Sequence, residues 1–133
     1  MKKKVPVPAG SGIRILLIDD DPFMNGLYKL GLERNGFEMV SVFDGFEGIK
    51  KAAEIHPDII LLDLMMPQID GFETLKRLKA DPKTKDLPVI ILSTLSQSAD
   101  VQRAMEAGAK SYFVKTETLP VEAAQKIHDI LGR

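Results

Sequence analysis

Ile59-Ile60-Leu61-Leu62-Asp63 is a run of four large aliphatic residues that stops on a carboxylate. It is too short for a helix, and it lacks the apolar/polar alternation of a strand with one wet face. A short, uninterrupted aliphatic run of this kind suits a strand buried on both faces of a parallel sheet. The same pattern recurs on either side of it. Ile15-Leu16-Leu17-Ile18 runs into Asp19-Asp20-Asp21-Pro22, and Val89-Ile90-Ile91-Leu92 runs into Ser93-Thr94. Met39-Val40-Ser41-Val42 and Tyr112-Phe113-Val114, the latter followed by Lys115, complete a set of five.

Helical patterns fill the intervals. Phe23, Leu27 and Leu30 fall at i, i+4 and i+7, with Gly36 behind them as a stop. Asp44 with Glu47, and Asp70 with Glu73, have the spacing of capping boxes ahead of Ile49 and Ala53 and of Leu75 and Leu78. Val101, Ala104 and Met105 mark a fourth helix ended by Gly108. Ala123, Ala124, Ile127 and Leu131 mark a fifth, with Gly132 at its end. Strand and helix therefore alternate five times, which predicts an α/β domain: a five-stranded parallel sheet, doubly wound, with right-handed crossovers and helices on both faces. Residues 13–133 form that domain, and residues 1–12, which mix Lys, Pro, Gly and Ser without periodicity, read as a disordered tail.

Composition excludes several classes of function. The 133 residues carry 18 Lys and Arg against 19 Asp and Glu, a net charge of -1, without the basic excess of a nucleic-acid-coating protein. There is no cysteine, so disulfide frameworks, thiolate zinc sites and thiol catalysis are all ruled out. No apolar run approaches the roughly 18 residues of a membrane span. The expectation is a cytoplasmic domain with no direct nucleic-acid contact and no membrane insertion.

In such sheets the active site lies at the carboxyl ends of the strands, near the switch in strand order. Four of the five ends carry chemistry: the Asp19–Asp21 triplet, Asp63, Ser93-Thr94 and Lys115. An Asp triplet before Pro22 is by itself a helix start. A second acidic strand end at Asp63 changes that reading, because carboxylates converging on one edge must take up protons or a cation. Oxygen ligands without His or Cys suit a hard ion such as Mg2+. Asp63 also has the chemistry of a nucleophile toward phosphorus, with Ser93 as a hydroxyl donor and Lys115 as a point charge for the incoming group.

With these residues in view, the chain resembles the receiver domain of two-component response regulators, and in particular the stand-alone, chemotaxis-type members. The likeness rests on Ile15 to Pro22, on Leu62-Asp63-Leu64-Met65-Met66-Pro67 with Asp70-Gly71, on Pro88 to Ser93, and on Gly108-Ala109 through Lys115. It implies a flavodoxin-like (βα)5 three-layer sandwich with strand order 2-1-3-4-5. It further implies that Asp63 accepts the phosphoryl group, that Asp20 ligates Mg2+ directly and Asp19 mainly through water, and that the Met65 backbone carbonyl and Asp63 complete the protein ligands. Ser93 becomes the hydroxyl that moves to the phosphoryl group, Lys115 its ion-pair partner, and Tyr112 the aromatic switch. The implied partners are a histidine kinase or histidine phosphotransfer protein and a downstream target protein. The output face is that of the fourth and fifth helices and the last strand.

Two departures stand out. Thr116 follows Lys115 where the family usually has Pro, so a trans bond and an altered loop are expected there. Met65 and Leu95 place apolar bulk beside the acceptor, where it would hinder an attacking water. Three rival functions fit less well. A cofactor carrier of the same fold is disfavoured because this chain has no Trp and no Gly-rich loop after the first strand. An aspartate-nucleophile phosphatase needs an acid at the position of Met65. A phosphate-blind interaction module does not require Asp20, Asp63, Ser93 and Lys115 together. His56, before Pro57, and His128, on the last helix, read as surface histidines rather than phosphodonors.

Overall fold

The computed structural model describes residues 12–133, so the proposed tail lies outside the described residues except for Gly12. Strands β1 (Arg14–Ile18), β2 (Glu38–Val42), β3 (Ile59–Leu62), β4 (Val89–Ser93) and β5 (Ser111–Val114) alternate with five helices. These are α1 (Pro22–Glu33), α2 (Gly45–Ile55), α3 (Gly71–Ala80), α4 (Ser98–Glu106) and α5 (Pro120–Leu131). A three-residue 3-10 turn, Lys115–Glu117, joins β5 to α5. All pairings are parallel, in the order β2-β1-β3-β4-β5. The doubly wound sheet expected from the alternating pattern is the one observed.

Successive strand residues point to opposite faces, so each aliphatic run supplies two cores at once. Ile15, Leu17, Ile59, Leu61, Ile90 and Leu92 pack with Tyr28 and Leu32 of α1 and Ala123 and Ile127 of α5. Leu16, Ile18, Ile60, Leu62, Val89 and Ile91 pack with Ala52 of α2, Leu75 and Leu78 of α3, and Ala104 of α4. Every residue of β3 and β4 is buried, whereas the edge strands β2 and β5 keep partly exposed positions.

The caps follow the sequence with one variation. Asp44 Oδ1 accepts the Glu47 N–H, and Glu47 reaches back to the Phe43 N–H. Asp70 Oδ1 likewise accepts the Glu73 N–H, but the Glu73 carboxylate turns forward to Arg77 instead. Asp21 is the α1 cap, accepting from Phe23 and Met24 N–H, which separates it from Asp19 and Asp20.

One face is reversed relative to the sequence pattern. The apolar residues that mark α1, Phe23, Leu27 and Leu30, are exposed at 74%, 43% and 50%. The buried stripe is instead Asn25, Tyr28 and Leu32. Both stripes have helical spacing and lie on nearly opposite sides at about 100° per residue. The inward side is the one whose polar groups find partners: Asn25 Nδ2 donates to the carbonyls of Asp19 and Val42.

Candidate functional site: an acidic pocket at the carboxyl edge of the sheet

The strand order places β1 and β3 side by side, so the chain leaving each delivers an acid to the same crevice. Asp19 and Asp63 are buried and Asp20 is partly exposed. The three offer carboxylate oxygens within 4.8 Å of one another. Gly71 N–H donates to the Leu64 carbonyl, which draws the start of α3 against the Asp63 loop. Asp19 Oδ1 accepts the Asp21 N–H, and Asp63 Oδ1 the Met65 N–H at 3.4 Å.

Lys115 crosses the carboxyl edge from the end of β5. Its Nζ lies 2.6 Å from Asp19 Oδ2 and 3.3 Å from Asp63 Oδ2, with all three side chains at least nine-tenths buried. One ammonium thus serves two carboxylates. Burial opposes its charge, but the two acids outweigh burial and raise its pKa. Asp19 shifts upward for the complementary reason: burial disfavours its charge more than a shared lysine restores it, and Asp63 adds repulsion. Apart from the lysine contact, Asp19 Oδ2 has no hydrogen-bond partner among the described residues. With Asp20 included, three acids face one cation.

Ser93 is fully buried at the end of β4, its hydroxyl oxygen accepting the Leu95 N–H at 3.2 Å. Tyr112, half-buried on β5, donates its hydroxyl to the Leu95 carbonyl at 2.7 Å. Burial pushes its phenol up, with Asp100 adding to the shift and the Ser93 hydroxyl partly offsetting it. Ser93 and Tyr112 therefore hold the same β4–α4 loop from two directions. Met65 is exposed and takes a 3.8 Å contact from Thr94 Oγ1. With Asp20, Pro67, Leu95 and Arg103 it lines an open cleft of about 580 Å³. A second open groove, about 550 Å³ between α3 and α4, includes Lys76, Lys79 and Arg103 but none of Asp19, Asp20, Asp63, Ser93 or Lys115.

The structure thus brings together Asp19, Asp20, Asp63 and Lys115, and sets Ser93 of β4 and Tyr112 of β5 against the adjoining β4–α4 loop. No cis peptide bond occurs among the described residues, so the bond before Thr116 is trans, as expected. His56 is exposed at the left-handed end of α2, and His128 packs against Phe37, both remote from the pocket. Two contributors escaped the sequence reading. Asn25 ties the Asp19 carbonyl to β2, and Tyr28 donates to the carbonyls of Thr118 and Lys115. The only trace of either in the sequence is a second helical stripe in α1, which carries no chemical signature without its distant partners.

Comparison with known proteins agrees with this geometry. Residues 15–126 match the response regulator receiver domain family. The chain is 41% identical over 102 residues to the DNA-binding dual master transcriptional regulator RpaA of Synechocystis, covering 77% of this chain and 42% of that protein. This chain therefore spans less than half of that relative. A putative response regulator from Chloroflexus aurantiacus superposes with a TM-score of 0.84 at 30% identity, covering 91% of this chain and 98% of that one. The Mn(2+)-bound form of response regulator Rcp1 superposes with a TM-score of 0.74 at 28% identity, covering 88% and 92% of the two chains. With its fold, its strand-end acids and this match over nearly its whole length, the chain belongs to the receiver domain family of two-component response regulators.

Proposed function

We propose that residues 13–133 act as a phospho-accepting switch, in which Asp63 takes a phosphoryl group from the phosphohistidine of a histidine kinase or phosphotransfer protein. The observation that carries this reading is the shared lysine: Asp63 stands among three carboxylates with a single buried ammonium at 3.3 Å. In the transfer the P–N bond of the donor breaks, a P–O bond forms to an Asp63 carboxylate oxygen, and the departing imidazole takes up a proton.

The donor set fits a hard divalent ion. It is all oxygen, and its three negative charges exceed the one lysine by two. Asp19, Asp20, Asp63 and the Met65 backbone carbonyl would hold Mg2+, whose chemistry is to neutralise phosphoryl oxygens. The chain's own groups do the rest. Lys115 keeps its charge beside Asp63 and meets the new anion. Ser93 turns its hydroxyl toward the phosphoryl oxygens, loosening its hold on the β4–α4 loop, and Tyr112 follows that loop. Phosphorylation adds roughly -1.5 to -2 charge, enough to bias a two-state loop.

Output runs through a partner at the α4-β5-α5 face, where Met105, Leu119 and Val121 stand exposed. The exposed stripe of Phe23, Leu27 and Leu30 starts beside the acidic pocket and offers the phosphodonor protein an apolar surface. Hydrolysis of the acyl phosphate resets the switch, slowed by Met65 and Leu95 at the cleft. The domain acts as a signalling receiver that assists its own phosphorylation and slow dephosphorylation, in the cytoplasm.

Intact mass after incubation with acetyl phosphate, with and without Mg2+, tests the reading. One added phosphate that requires both Mg2+ and Asp63, and is missing in Asp63→Asn, is the expected result. Absence of an adduct, together with failure to form a Mg2+-dependent beryllofluoride complex, overturns it.

A further inference from the structure

Lys115 is the only cation that reaches both buried carboxylates among the described residues, yet the backbone that carries it has little local support. β5 ends at Val114, and Lys115 opens a 3-10 turn of three residues that has no side-chain cap. Thr116 has no ring to fix its φ. A turn this short is weakly held by its own hydrogen bonds. A long Lys side chain also loses much rotamer entropy when held at one point. Something outside the turn must anchor it.

Tyr28 supplies the anchor from α1. Its ring is 1% exposed, and its hydroxyl donates to the Thr118 carbonyl at 2.6 Å while lying 3.3 Å from the Lys115 carbonyl. The two carbonyls bracket the turn. The helix is held at the right distance one turn further on, where Gly31 lies so close to Pro120 that an added Cβ would stand 2.5 Å from its ring. Burial pushes the Tyr28 phenol above its ordinary value, so it remains a donor throughout the working pH range.

We propose that Tyr28 is a positioning residue for phosphoryl transfer: its hydroxyl clamps the two ends of the Lys115–Glu117 turn and so holds the Lys115 ammonium at Asp19 and Asp63. It touches neither the reacting atoms nor the metal-ligand set. The inference rests on the phospho-acceptor reading for its kinetic consequence, but the placement of Lys115 can be read without phosphate.

The test is Tyr28→Phe in the full chain, assayed at a temperature where its melting curve shows it fully folded. The first readout is the nitrogen-15 signal of the Lys115 ammonium, assigned by its loss in Lys115→Met. It is expected to be slowly exchanging in the wild type and broadened or lost in Tyr28→Phe. The second is the acetyl phosphate reaction, expected to slow about tenfold, while the rise in Tm on adding Mg2+ is retained. In a Lys115→Met background the same Tyr28 change is expected to have no further effect, which separates positioning from general destabilisation. An unchanged ammonium signal in Tyr28→Phe, or an equal loss of rate in both backgrounds, overturns the proposal. A wild-type chain that shows the ammonium signal but takes no phosphate and forms no Mg2+-dependent beryllofluoride complex removes the phospho-acceptor reading and leaves the clamp standing.

Discussion

A Cβ added to Gly71 would lie 2.2 Å from the Asp63 carbonyl oxygen, so the first residue of α3 rests directly on the Asp63 backbone. The same Cβ would meet the Leu64 Cα at 2.5 Å. Neither contact is with a flexible side chain that can yield. Gly71→Ala should gain about 0.5–1 kcal/mol of helix preference and lose more to overpacking, typically about 1–3 kcal/mol. The expected outcome is a net loss of stability in urea unfolding, together with weaker Mg2+ binding. A variant as stable as the wild type would show that the Asp63 loop can move away freely.

The surplus of acid over lysine predicts that stability depends on divalent cation. Mg2+ at about a hundred times its Kd should add about 2.7 kcal/mol to the folded state, a rise of roughly 10 °C in Tm for a domain of this size. Chelation should reverse it. Asp63→Asn removes one repelling charge while leaving Lys115 on its nearer partner, Asp19, at 2.6 Å. Its metal-free form should therefore be at least as stable as the wild type, since less like-charge repulsion remains, and respond less to Mg2+. Scanning calorimetry with and without chelator measures both effects.

Asp58 predicts a pH dependence away from the pocket. Burial opposes its charge, but the Arg14 N–H at 2.8 Å and the Arg133 guanidinium at 2.8 Å hold its carboxyl below the ordinary 3.8. A depressed carboxylate contributes stability that is complete above 3.8 and lost as pH falls through the folded-state value. Asp58→Asn should cost about 1 kcal/mol near neutrality and progressively less below pH 3.8. Urea midpoints for both proteins between neutral and acid pH would reveal a constant difference if the ion pair were irrelevant.

The two faces of α1 should respond oppositely to substitution. Leu27→Gln on the exposed stripe is expected to change stability by no more than about 0.5 kcal/mol. Leu32→Ala, fully buried against the sheet, should cost about 2–5 kcal/mol. Equal losses in denaturant melts would mean that the Phe23 stripe is covered in solution.

Much of the molecule was legible before any coordinates. The aliphatic runs and their stops are local features, and a residue such as Asp63 at the end of Ile59–Leu62 has one place to go once the run becomes a buried strand. That is why Asp19, Asp20, Asp63, Ser93 and Lys115 could be named, and why the caps at Asp44 and Asp70 appear where their spacing put them. The relation among these side chains was less visible. Sequence order alone does not say that Lys115 lies closer to Asp19 than to Asp63.

The orientation of α1 and the clamp on the Lys115 turn belong to tertiary structure alone. Pro22–Glu33 carries two stripes of helical spacing, and the more hydrophobic one, Phe23-Leu27-Leu30, faces out. Periodicity measures which residues share a side of a helix; it says nothing of which side meets the sheet. That choice depends on partners far along the chain: Val42 for Asn25, and Lys115 and Thr118, some 87 and 90 residues away, for Tyr28. The strands, their buried character and the chemistry at their ends follow from short-range pattern in the chain. Only the folded chain decided which face of a two-faced helix is buried, because a buried hydroxyl or amide is stable only where a distant carbonyl comes to meet it.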